Sequence, residues 1–112
     1  MARRRIDPGL GAEAVRAGDV PTAVRYLLQV LEDEAPGNTL EVRVPPYGAA
    51  QVVEGPRHTR GTPPNVVEMD AETWIALATG RLGWDAAIAD ARVIASGTRA
   101  DLSDHLPVPW ES

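Results

Sequence analysis

Apolar positions along this chain fall into distinct patterns, and each predicts a different element. Val20, Ala23, Val24, Leu27, Leu28, Leu31 and Ala35 recur at helical spacing, a wide apolar stripe opposed by Arg25, Gln29, Glu32 and Asp33. Asp19 stands at the N-cap position. Pro36 disfavours helical geometry at Ala35, so one long amphipathic helix should end there. A shorter helical turn is predicted to open at Asp7-Pro8 and to stop at Gly18-Asp19. The pattern then switches to alternation, with Leu40, Val42 and Val44 against Glu41 and Arg43, a half-buried strand with one wet face. Pro45-Pro46-Tyr47-Gly48 closes that strand because proline cannot donate to a ladder, and Ala49 to Glu54 reads as its antiparallel return.

The last third repeats the alternation of strand and helix. An apolar run, Val66-Val67-Glu68-Met69, leads into Asp70, whose carboxylate can accept hydrogen bonds from the first free N–H groups of a helix. Trp74, Leu77 and Ala78 share one face, and Gly80 supplies the left-handed residue that ends it. A second helix is predicted to open near Gly83, with Trp84, Ala87, Ile88 and Ala91 in register. Val93-Ile94-Ala95 is β-branched, short and closed by Ser96-Gly97, a strand with its turn. Each helix has a single apolar stripe, so the expected fold class is α+β: one four- to five-stranded, mostly antiparallel sheet with helices packed on one face. Trp74 and Trp84 are the largest side chains available to a core that contains no phenylalanine.

Composition narrows the class without naming a chemistry. At 112 residues, 44% apolar and 24% charged, the chain reads as a single globular domain over 1-112, with 1-6 and 107-112 as mobile tails. No apolar run is long enough for stable membrane insertion. Met1-Ala2-Arg3-Arg4-Arg5 has the basic start of a signal peptide, but Ile6-Asp7-Pro8-Gly9 stands where an apolar core should follow, and with no cysteine the expected location is cytoplasmic. The missing cysteines exclude disulfides and thiolate chemistry. A net charge of −5 argues against nucleic acid as a partner. Every Lys/Arg position is arginine, which accords with the abundance of Ala, Gly and Pro and with GC-rich coding.

Searches for catalytic and cofactor motifs return nothing. Gly9-Leu10-Gly11-Ala12-Glu13-Ala14 fits the dinucleotide fingerprint, yet no strand precedes it, so the phosphate-binding turn could not form. His58 and His105 lie far apart with no further ligands at metal spacing, and no serine sits in a nucleophile elbow. No metal, no cofactor and no catalytic residue is therefore expected. Asp101 and Asp104 flank a short final turn and read as caps. The most chemical stretch is Gly55 to Asn65. There Arg57, His58, Arg60 and the amide of Asn65 are candidates for an anion-binding site, the alternative being a solvated loop.

The order of these landmarks resembles the sterol carrier protein family over roughly Thr39 to Leu106. The resemblance rests on Asn65-Val66-Val67-Glu68-Met69-Asp70, Gly80-Arg81-Leu82, Val93-Ile94-Ala95-Ser96-Gly97 and Asp101-Leu102. The runs Val42-Arg43-Val44-Pro45-Pro46-Tyr47-Gly48 and Glu54 to Asn65 are similar to those of the short bacterial orthologues typical of actinobacteria. The resemblance implies a sheet covered by helices around an apolar tunnel for acyl chains or sterols. It departs at Ala91-Arg92, where larger members often carry glycine, and at Gly97-Thr98. It implies a small non-catalytic domain for an apolar or acyl-type ligand, with Leu28, Leu31, Trp74, Leu77, Trp84 and Ile88 as candidate cavity walls. Small alanines in the helices predict that any enclosed cavity is small. The alternative is a structural or protein-interaction domain with a filled cavity, or an acidic ligand or partner at the Arg57-Asn65 loop.

Overall fold

The computed structural model describes residues 5–55 and 65–111. Helix α1 (Pro8–Ala17) opens on the Asp7 carboxylate, which accepts the Leu10 N–H at 3.1 Å, and closes on Gly18 in the left-handed conformation. The expected short turn is thus a complete helix. Helix α2 (Val20–Glu34) follows with Asp19 at its N-cap, although the Asp19 side chain makes no capping bond. The two helices approach closely at Gly11, where any Cβ would overlap the Tyr26 ring. Glycine in this false dinucleotide motif is a packing residue.

Strands β1 (Pro36–Val44), β2 (Gly48–Val52), β3 (Asn65–Met69) and β4 (Val93–Ser96) form one sheet in the order β2-β1-β3-β4. The β1–β2 hairpin is antiparallel, with Val42 opposite Ala50 and Val44 opposite Gly48. β3 and β4 are also antiparallel, whereas β1 and β3 run parallel with Val42 opposite Val67. Leu40, Val42, Val44, Ala50, Val52, Val67, Met69 and Val93 are buried, while Glu41, Arg43, Gln51, Glu68 and Ile94 look outward. This alternation leaves one sheet face wet and puts the helices on the other.

Helix α3 (Ala71–Ala78) starts on Asp70 and ends as its glycine foretells: Gly80 has φ +85°, its N–H reaches the Leu77 carbonyl, and the Arg81 N–H reaches Ala76. Helix α4 (Trp84–Ala89) ends in the same geometry, with Ala91 N–H to Ile88 and Arg92 N–H to Ala87. Here the left-handed residue is Ala91, at φ +57°. Its Cβ is crowded in that conformation.

The C-terminal segment expected to be mobile is instead a strap. After a 3-10 turn at Ser103–His105, the Val108 N–H donates to the Ala78 carbonyl at 3.0 Å and Val108 is buried. The Tyr26 hydroxyl donates to the Trp110 carbonyl at 3.0 Å, and the Arg16 guanidinium lies 5.6 Å from the Trp110 ring centre. Burial raises the Tyr26 phenol pKa above its ordinary value, which keeps this hydroxyl a donor.

Two outcomes follow from the helix ends. Ala91→Gly should raise stability by about 0.5–1 kcal/mol, moving the thermal midpoint up by several degrees, because the strain outweighs the extra entropy of an unfolded glycine. An unchanged or lower midpoint would contradict this. The Thr73 backbone N–H, at 2.8 Å, and then its hydroxyl hold the Asp70 carboxyl below its ordinary pKa. Stability from a depressed carboxyl is complete above the unfolded-state value and is lost as pH falls below about 4. Urea midpoints taken at about pH 7 and pH 3 should therefore fall further for the native chain than for Asp70→Asn, which cannot titrate.

Candidate functional site

Of the six residues expected to wall a cavity, Leu28 lines one open depression, and Leu77 and Trp84 line another. Leu31, Trp74 and Leu77 have no exposed surface and Leu28 almost none; all four are packed in the core. The Trp74 indole N–H donates to the Val24 carbonyl at 3.3 Å, so the largest side chain in the layer between α2 and the sheet is fixed by its polar edge. Trp84 is half-buried and Ile88 is 42% exposed. α4 packs through Ala87, its one buried residue, and stops at Ala89, two residues short of the Ala91 read from the sequence.

These two depressions are among the open ones formed by the described residues. The larger is a groove of about 830 Å³ along the outer flank of α2, bounded by the N-terminal segment on one side and the hairpin turn on the other. Its apolar surface comes from Ile6, Leu28, Tyr47 and Ala49, its polar surface from Arg5, Thr22, Arg25, Gln29 and Glu32. The Gln29 amide clamps the N-terminal wall: Nε2 donates to the Ile6 carbonyl and Oε1 accepts the Ile6 N–H, each at 2.9 Å. Arg5 reaches Asp33 at 2.6 Å, and this bond raises the guanidinium pKa further. Residues 5 and 6, read from sequence as part of a mobile tail, are therefore docked. Arg25 forms no ion pair among the described residues, and a Cβ at Gly48, the first residue of β2, would come within 3.8 Å of its Cγ.

Of the predicted cavity walls, only Leu28 lines this groove. Ile6, Arg25, Tyr47 and Ala49 were not legible as a site because they come from three separate parts of the chain. The one local hint was an aromatic residue, Tyr47, in a turn where solvent exposure would be expected.

The second depression, of about 330 Å³, lies between the α3–α4 turn and the C-terminal strap and takes in Leu77 and Trp84. Arg57, His58 and Arg60 of the anion-site candidate lie outside the described residues. Asn65 is placed, and its amide is occupied: Nδ2 donates to the Thr39 carbonyl at 2.9 Å and Oδ1 accepts the Arg99 N–H at 2.8 Å. It is 3% exposed and stitches the start of β3 to its neighbours. The base of that loop is strained, since Val53 has φ +70°, a rare conformation for a β-branched residue. Asp101, as expected, caps the final turn by accepting the Ser103 N–H, which lowers its pKa. Among the described residues, no group of His, Asp or Glu side chains could hold a metal ion. No helix among them is long and apolar enough to cross a membrane.

A four-stranded mixed sheet with one helical face and a strapped C-terminus defines an α+β protein of the sterol-carrier type. The family model described as bacterial SCP ortholog matches residues 16–108, and the chain belongs to that family. Among curated proteins, no sequence matches it.

The clamp on the groove's N-terminal wall is open to direct test. Gln29→Ala removes two hydrogen bonds to Ile6 and should lower stability by about 1–2 kcal/mol. Amide exchange at Ile6 should accelerate strongly while Val42 and Val67 in the sheet keep their protection. Unchanged exchange at Ile6 would mean that packing alone holds the wall.

Proposed function

We propose that this chain is a small non-catalytic sterol-carrier-like domain of the cytoplasm that holds an acyl-type ligand in the groove along α2. The observation that carries the reading is the groove itself. Its volume of about 830 Å³ falls in the range of ligand sites, and it pairs an apolar wall with a cation, Arg25, that has no ion pair among the described residues. An acyl tail would lie against Leu28, Ile6, Tyr47 and Ala49, and its carboxylate would meet Arg25. The interior is occupied by Trp74, Leu27 and Leu31, so the ligand is carried at the surface and held weakly.

The packed interior also favours a second reading, a protein-interaction domain in which the groove takes an apolar segment of a partner. An acidic ligand at Arg57, His58 and Arg60 stands as a separate proposal from the sequence, without Asn65.

Displacement of a fluorescent fatty acid by decanoate, followed alongside native mass spectrometry, separates the two readings. Decanoate should bind the native chain, Ala49→Trp should abolish binding by filling the groove, and Arg25→Glu should weaken it by up to about tenfold. If no fatty acid binds the native chain, the acyl reading falls and the interaction reading replaces it.

A further inference from the structure

We propose that the depression between the α3–α4 turn and the C-terminal strap binds a small alkylated ammonium ion. The site shares no lining residue with the groove along α2, so it stands or falls independently of the acyl reading. Its walls are apolar, from Leu77, Leu82, Leu106 and Pro107, with the Trp84 indole as the aromatic surface. Asp85 is the single ionisable residue of the lining and forms no ion pair among the described residues. The nearby guanidinium of Arg81 is directed to the Thr79 hydroxyl at 3.3 Å and does not line the depression.

Charge and polarity select the ligand class. An anion would be repelled by Asp85 and by a chain of net charge −5. A hydrated metal ion needs several oxygen ligands, and the lining offers one carboxylate and the Ser103 hydroxyl among apolar walls. A neutral apolar molecule would gain from burial alone. An ammonium carrying alkyl groups gains from all three features at once: alkyl burial, attraction to the face of an indole, and the Asp85 charge. The volume of about 330 Å³ admits a head group of choline size and little more. The same chemistry is presented by free choline and by the head group of a zwitterionic lipid.

Titration of the isotopically labelled chain with choline tests the proposal by the shifts of the Trp84 indole and of the Gly83 and Asp85 amides. Choline should bind with a Kd on the order of millimolar, and its neutral carbon isostere, dimethylbutanol, about tenfold more weakly. Asp85→Asn changes an exposed position, so the fold should persist while choline affinity falls severalfold and the isostere is unaffected. Trp84→Leu should act in the same direction, with Trp84→Phe retaining most of the affinity. Vesicles of phosphatidylcholine, compared with phosphatidylglycerol, distinguish a lipid head group from the free ion as the source. Equal affinity for choline and its isostere would overturn the proposal, as would unchanged binding in Asp85→Asn or the absence of shifts at this site.

Discussion

The structure depends on one layer of packing, the apolar stripe of α2 laid over the β1–β2 hairpin and wedged by Trp74. Val24, Leu27 and Leu31 have no exposed surface, nor do Val42, Val44 and Val52 beneath them. Trp74 reaches this layer from α3, and its indole N–H ends on the Val24 carbonyl, so a side chain with one polar atom is buried without leaving that atom unpaired. In a chain without phenylalanine, Trp74 is the largest fully buried side chain among the described residues. Hollowing that layer would sacrifice burial that a small domain can hardly spare, at about 25 cal/mol per Å² of apolar surface.

That constraint displaces the sites to the margins. The groove forms where the outer flank of α2, which carries Arg25 and Gln29, meets two segments that are not part of the sheet-facing layer. The smaller depression forms where two short helices and the strap leave a gap around glycine turns. In each case an apolar floor belongs to the edge of the core, and the charged residue at the rim comes from the solvent face of a helix. Leu28 illustrates the first point, since it is a core residue with an edge on the groove.

The sterol-carrier family relation and the filled interior are compatible once fold and cavity are considered separately. Sheet order, helix order and the strap depend on which faces must be buried. A cavity depends on the volumes of a few side chains within the same layer. Here Trp74 and the leucines Leu27, Leu28 and Leu31 of α2 are buried within that layer.

Local physics made much of the fold legible in the sequence. The stripe of α2, the caps at Asp70 and Gly80, the alternation of β1 and the turn after Val44 are short-range features governed by backbone hydrogen bonding and one-sided burial, and all are present. The same reasoning ran α4 on to Ala91, two residues past its end, because spacing alone does not reveal where a helix lacks a partner to bury its next residues. Three things required the tertiary structure. The parallel pairing of β1 with β3 joins segments separated by a long connection. The docking of residues 5–6 and 107–111 depends on a few long-range contacts, among them those to Gln29, Tyr26 and Ala78, that leave no pattern in the residues they hold. Asn65 was chemically recognisable as an amide with bonds to make, but only the meeting of Thr39, β3 and Arg99 decided that those bonds are made within the fold. Sequence determines which faces and ends must be satisfied, because those demands are local; tertiary structure decides what satisfies them, because the partners come from distant parts of the chain.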